Sequence, residues 1–185
     1  MKAAFFDLDA ALLLSLLEAA ARRGFCRRPD RSPQWELQSR LRRQAKALIA
    51  AHHWRGHVVV LLTDAGPQWA DLASRELDAD GVLTCPDPPA AGPALPLWRA
   101  TAVTRFCLRY HFSPVASYGY GARSSDWLWL QTLGHPAVAH PSRELRWRAR
   151  LSAWPIVNLN GRCDLKPPPG LAFGPSQTPP PVTLT

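Results

Sequence analysis

Residues 3–13 read AAFFDLDAALL, and this stretch decides how the rest of the chain is read. Four apolar residues stop at Asp7, and a second carboxylate, Asp9, follows two positions on. A run this short and this uniformly apolar suits a strand covered on both faces, since a helix needs more length and an exposed sheet face would demand polar alternation. Residues 57–63, HVVVLLT, repeat the pattern with β-branched residues and end at Thr63 and Asp64.

Outward from these two strands the chain alternates. Residues 10–22 are rich in Leu and Ala and are closed by Gly24, which predicts a helix. Ser32 and Pro33 form an N-cap and first helical position. Leu37, Leu41, Ala45, Leu48, Ile49 and His52 then recur at helical spacing until Gly56 ends the element, with Arg40, Arg42 and Arg43 on its solvent side. Further helices are predicted over 67–77, 97–110, 124–133 and 142–151, and further strands over 81–84, 115–118, 137–140 and 155–159. Strand–helix alternation of this kind predicts an α/β fold, a Rossmann-like parallel sheet with helices on both faces, spanning 1–160. The last 25 residues hold seven prolines. A segment so poor in large apolar groups predicts a disordered tail over 161–185.

The chain has 185 residues and a formal net charge of +8. Residues 22–46 carry +7 of it, so the remainder is nearly neutral. That distribution makes a nucleic-acid binder improbable on charge grounds, while leaving a local anion-binding arm in the Arg-rich segment. No apolar run is long enough to span a membrane. The four cysteines, Cys26, Cys85, Cys107 and Cys163, form no CxxC pair, which suits reduced thiols in a cytoplasmic protein. His52 and His53 read as satisfied or surface side chains. Trp127 and Trp129 lie close to the strand-end acids, and core packing is their expected use.

In an open parallel sheet, ligands bind outside the carboxyl ends of the strands. Asp7 and Asp9, Thr63 and Asp64, and the run Ser124–Ser125–Asp126 all fall at such ends. Two carboxylates two residues apart can divide labour as nucleophile and proton donor.

These segments resemble the haloacid-dehalogenase-like (HAD) hydrolases, in particular their phosphoserine-phosphatase-like branch. AAFFDLDAALL resembles that branch's first motif. Residues 47–84 (ALIAAHHWRGHVVVLLTDAGPQWADLASRELDADGVLT) resemble the second-motif region. Residues 118–157 (YGYGARSSDWLWLQTLGHPAVAHPSRELRWRARLSAWPIV) resemble the fourth-motif region and the βα units after it. The resemblance implies Mg²⁺-dependent hydrolysis of a small phosphorylated substrate. Asp7 would form an aspartyl-phosphate, Asp9 would serve as acid and then base, and Thr63 would bind the phosphoryl group. The metal would be held by Asp7, the backbone at Asp9, and Asp126.

The departures from the pattern concern charge. The fourth motif's first acid, a metal ligand in the family, falls on Ala122. The third-motif lysine has no counterpart, because the only lysines are Lys2, Lys46 and Lys166. Arg99 and Arg105 lie on the predicted helix 97–110, but the lysine position aligns near Ala102 and neither arginine falls on it. Ala10 and Ala11 replace the first motif's Gly-Thr. The helical cap, normally inserted between the first two motifs, is reduced to about residues 13–33. Phosphoryl transfer depends on positioning and electrostatics. The reading is therefore a phosphatase-like protein of weak or lost activity, in the latter case a pseudoenzyme. The alternative is a non-catalytic binding or regulatory module that uses the old phosphate pocket and the Arg-rich segment.

Overall fold

The computed structural model describes residues 1–13, 32–85 and 94–160. The expected cap remnant, most of the helix over 10–22 and the tail beyond residue 160 lie outside them.

Six parallel strands form one sheet among the described residues: β1 (Ala3–Asp7), β2 (Val58–Thr63), β3 (Gly81–Thr84), β4 (Tyr118–Gly121), β5 (His135–Ala139) and β6 (Ile156–Val157). Their order is β3-β2-β1-β4-β5-β6, which places β1 and its Asp7 at the centre, beside β2 and β4. Phe6 is registered with Leu61 on one side and Tyr120 on the other, so the chain leaves all three strands at one edge.

All five residues of β1 and all six of β2 are buried. The period-two alternation of a strand explains how. Ala4, Phe6, Val59 and Leu61 join one apolar layer with the helices α1 (Pro33–Arg40), α2 (Ala45–His53) and α3 (Pro67–Leu77). Ala3, Phe5, Val58, Val60 and Leu62 join the other, with α4 (Ala94–Arg109), α5 (Trp127–Leu130) and α6 (Arg143–Leu151). The expected doubly covered parallel sheet is therefore present.

Local signals hold where they are chemical. The Ser32 hydroxyl accepts the Trp35 N–H at 3.3 Å, with Pro33 at the first helical position. Ser142 caps α6 in the same way through Leu145. Signals that rested on periodicity alone fare less well. The helix expected to run from Pro33 to Gly56 is two helices. Leu41 turns extended (φ −57°, ψ 132°) and bridges Leu13, while the Arg42 N–H donates to the Leu12 carbonyl. Tertiary pairing with the chain leaving β1 overrides the helical stripe. This also turns Arg42 inward. It is 4% exposed and donates to the Ala10 carbonyl, rather than facing solvent as expected.

Residues 10–12, the expected start of a helix, instead belong to one π-helical turn, Leu8–Leu12, with Leu13 N–H on the Leu8 carbonyl, and Leu13 itself is extended. The strand expected over 115–118 begins at Tyr118, because Pro114–Ala116 closes a 3₁₀ turn. The helix expected over 124–133 is a 3₁₀ turn, Ser124–Asp126, followed by the four-residue α5. β5 starts two residues early and stops before His140, whose φ is +49°. β6 keeps only two of the five residues expected for it.

His52 is buried and satisfied. Its Nδ1 lies 2.9 Å from His57 Nδ1 and its Nε2 2.9 Å from the Tyr120 hydroxyl. Burial, reinforced by the neighbouring His57, lowers its pKa to about 3, so the pair is neutral and one imidazole donates to the other. Among the described residues, no helix is long and apolar enough to cross a membrane.

β4 reads Tyr-Gly-Tyr-Gly because α5 lies directly on its backbone. A Cβ at Gly119 would come within 2.7 Å of Leu133 and 2.8 Å of the buried Trp129. Gly119→Val is expected to destabilise the fold by about 2–3 kcal/mol through overpacking. The check is a lower urea midpoint at unchanged slope.

Candidate functional site

The carboxyl ends of β1, β2 and β4 bring together four aspartates and two arginines. Asp7 is the last residue of β1 and is fully buried. Asp9 sits in the π-helical turn that follows. Asp64 leaves β2 immediately after the buried Thr63. Asp126 ends the 3₁₀ turn after β4 and is also fully buried. Arg99 reaches in from α4 with no exposure, and Arg123 comes from the turn after β4 with 32% of its side chain exposed.

The two guanidinium groups hold the cluster. Arg99 Nη1 lies 3.1 Å from Asp7 Oδ1 and 2.9 Å from Asp126 Oδ1, and its Nη2 donates to Asp64 Oδ1. Arg123 grips Asp64 with both nitrogens, Nη1 on Oδ2 at 2.9 Å and Nη2 on Oδ1 at 3.0 Å. The same Arg123 Nη2 donates to Asp7 Oδ1 at 3.1 Å. Both arginines stand 3.9 Å from Asp9 Oδ2. Asp7 Oδ1 is thus shared by two cations, while Asp7 Oδ2 is buried and meets no donor.

Asp126 is bound from its own turn, and Asp9 from the end of β2. Asp126 Oδ2 accepts the N–H groups of Ala122 and Arg123, both at 2.8 Å, and its Oδ1 accepts Trp129 Nε1 at 3.2 Å beside Arg99. Gly121 permits this, since a Cβ there would sit 2.7 Å from Asp126 Cβ. Asp9 accepts the Thr63 hydroxyl at 3.0 Å on each oxygen and the Asp64 N–H at 3.1 Å.

Burial is the main force on the Asp7 pKa and raises it well above the ordinary carboxylate value. The Asp126 charge adds to this, and Arg123 opposes it. Asp9 is raised to about 6, by burial first and then by Asp64. Burial also acts against the Arg123 charge, but Asp7, Asp126 and Asp64 more than offset it, so Arg123 holds its proton more firmly. Fully ionised, four carboxylates against two guanidiniums leave the site net negative.

The sequence-identified residues Asp7, Asp9, Thr63 and Asp126 therefore do meet at one place. Thr63 faces Asp9. Arg99 enters the cluster although it misses the aligned lysine position, while Arg105 is exposed on the same helix. Trp129 packs as expected and also tethers Asp126, and Trp127 stacks on Trp154. Asp64 belongs to the cluster as fully as the other three acids. Arg123 was missed. The available signal was an arginine beside Ala122, the position where the resemblance expects an acid. As arranged, these residues do not fit a divalent cation. Both Asp126 oxygens are filled by donors, Asp7 Oδ1 and Asp64 are on guanidiniums, and no metal-ligating trio of His, Cys, Asp or Glu occurs among the described residues.

The architecture is that of the HAD hydrolases, phosphoserine phosphatases among them. A phosphoserine phosphatase in its apo form superposes with a TM-score of 0.60 at 12% identity, over 87% of this chain and 94% of that one. A probable phosphoserine phosphatase from Vibrio cholerae gives 0.58 at 14% identity, over 84% of this chain and 60% of that one. A protein of unknown function from Bordetella pertussis Tohama I gives 0.63 at 16% identity, over 85% of this chain and 98% of that one. In sequence, the chain is 25% identical over 136 residues to an "Inhibition of morphological differentiation protein" of Streptomyces azureus, matching over 66% of this chain. It spans about half of that relative's length (48%). No family model matches the chain.

Proposed function

We propose that this chain is a HAD-type phosphatase whose hydrolysis of small phosphomonoesters through an aspartyl-phosphate on Asp7 is weak or lost. One observation carries the reading: both guanidiniums bind the same oxygen of the nucleophile, Asp7 Oδ1. A hydrogen bond from Arg123 and the ion pair with Arg99 withdraw charge from the carboxylate and lower its nucleophilicity. Only Asp7 Oδ2 remains to attack phosphorus. The departing alkoxide would take its proton from Asp9, whose pKa near 6 leaves part of it protonated at neutral pH. Opposing this chemistry, a phosphate dianion must enter a net negative cluster, and the Thr63 hydroxyl is already on Asp9. The setting we assign is the cytoplasm, with no nucleic-acid or membrane partner.

The second reading is a regulatory or binding module, and the name of the Streptomyces azureus relative favours it. Its Arg-rich arm is shorter than the sequence suggests, because Arg42 points inward and Arg40 lies 3.9 Å from Glu36.

Aryl-phosphate hydrolysis with and without Mg²⁺, beside Asp7→Asn, tests the proposal. The expected kcat/KM lies at least about a hundredfold below the 10⁴ M⁻¹s⁻¹ floor of ordinary enzymes and disappears in the variant. Turnover in the ordinary range would overturn the weak-or-lost reading. Turnover that survives Asp7→Asn would remove Asp7 from the chemistry.

A further inference from the structure

We propose that Arg99 and Arg123 supply, as built-in charge, the neutralisation that a divalent cation gives a carboxylate cluster, and that Arg123 is the half that excludes a metal. The inference rests on reading the cluster as a former phosphatase centre, but it is tested on metal binding rather than turnover, so the two can fail separately.

The arrangement has a lower and an upper cation. Arg99 is fully buried and joins Asp7, Asp64 and Asp126 from beneath. Arg123 closes Asp7 and Asp64 from the solvent side, at 3.1 Å from Asp7 and 2.9 and 3.0 Å from Asp64, with Asp9 at 3.9 Å. A guanidinium does not deprotonate in a protein, so this charge is permanent and needs no ion from solution. It also fills the approach to Asp7 and Asp64. Lifting the Arg123 side chain away frees Asp64 Oδ2 and opens the face of Asp7, Asp64 and Asp9 that its Nη2 now occupies, while Arg99 stays on Asp7 Oδ1 and Asp64 Oδ1. Asp7 Oδ2 is already buried without a donor there. An all-oxygen set of three carboxylates is what a hard divalent cation takes. The main-chain N–H of Arg123 stays on Asp126 whatever its side chain, so the turn survives the substitution.

Mn²⁺ serves as the probe, followed by water-proton relaxation and by calorimetry on the full chain. The wild type is expected to show no saturable binding up to about 10 mM, beyond the range of even weak protein cation sites. Arg123→Gln is expected to bind at least tenfold more tightly than the wild type. Arg123→Lys, which keeps a positive charge at the position, is expected to stay close to wild type. Saturable wild-type binding that vanishes in Asp7→Asn would overturn the proposal, and that arm does not depend on the Gln variant folding. A folded Arg123→Gln protein that binds no better than wild type would overturn it equally.

Discussion

Arg99→Met is expected to lower the free energy of unfolding by about 3–5 kcal/mol, the usual cost of removing one partner from a buried ion pair. Methionine replaces the aliphatic stem of Arg99 but not its charge. Asp7 and Asp126, both fully buried, would then face each other across the space the guanidinium filled. Asp126 keeps Trp129 Nε1 and two backbone N–H groups, so the larger loss falls on Asp7 and on Asp64. Arg123 cannot take over, because its two terminal nitrogens already hold Asp64 and Asp7 from the solvent side. The contrast is Arg123→Gln. That side chain is one-third exposed, water screens its pairs, and the loss should be about 1 kcal/mol or less. Urea denaturation of both variants measures the difference, read as midpoints at equal slope. A loss below about 1 kcal/mol for Arg99→Met would mean that the acids take up protons instead and that the arginine does not hold the cluster together.

That contrast turns on residues whose legibility in the sequence differs. The central strand and its Asp7 were readable because a short run of uninterrupted apolar residues has few other uses. The same is true of HVVVLLT and of Ser32–Pro33, where the chemistry of the cap, not a pattern, carries the signal. The break at Leu41 was not readable, because Leu37, Leu41 and Ala45 have helical spacing whether or not the helix continues. Only the pairing of Leu41 with Leu13 decides it. At the site, the acids could be found one strand end at a time. The arginines could not, since their meaning lies in a contact between distant segments: Arg123 and Asp7 are 116 positions apart. Alignment asked which residue stands at the lysine position. The fold asks which cation reaches the carboxylates, and a long side chain answers from another turn of the helix.

Asp7→Asn is expected to stabilise the protein at pH 7, read as a higher urea midpoint at unchanged slope. The proposed nucleophile position is costly to the fold as it stands. Asp7 is fully buried, its Oδ2 has no donor, and it shares the cluster with three other acids against two arginines. Asparagine keeps an acceptor at the Oδ1 position for both guanidiniums and removes one negative charge. Its amide can also donate toward Asp126, the neighbour that helps push Asp7 up. The pH dependence fixes the interpretation. An acid whose folded-state pKa is raised binds its proton more tightly in the fold, so its contribution is favourable below the unfolded value near 4. It is lost as pH rises through the folded value. The gain from Asp7→Asn must therefore be largest above the folded pKa of Asp7 and fade toward pH 4, where aspartic acid is protonated in both states. Asp9, raised to about 6, has the same sign but remains in both proteins and cancels to first order. Denaturation of the pair across pH 4–8 is the measurement. A loss at pH 7 instead of a gain would mean that the Asp7 carboxylate is needed as the counter-charge of Arg99 and Arg123. The aspartate would then be a structural member of an ion-pair lattice, no longer a nucleophile held at the fold's expense.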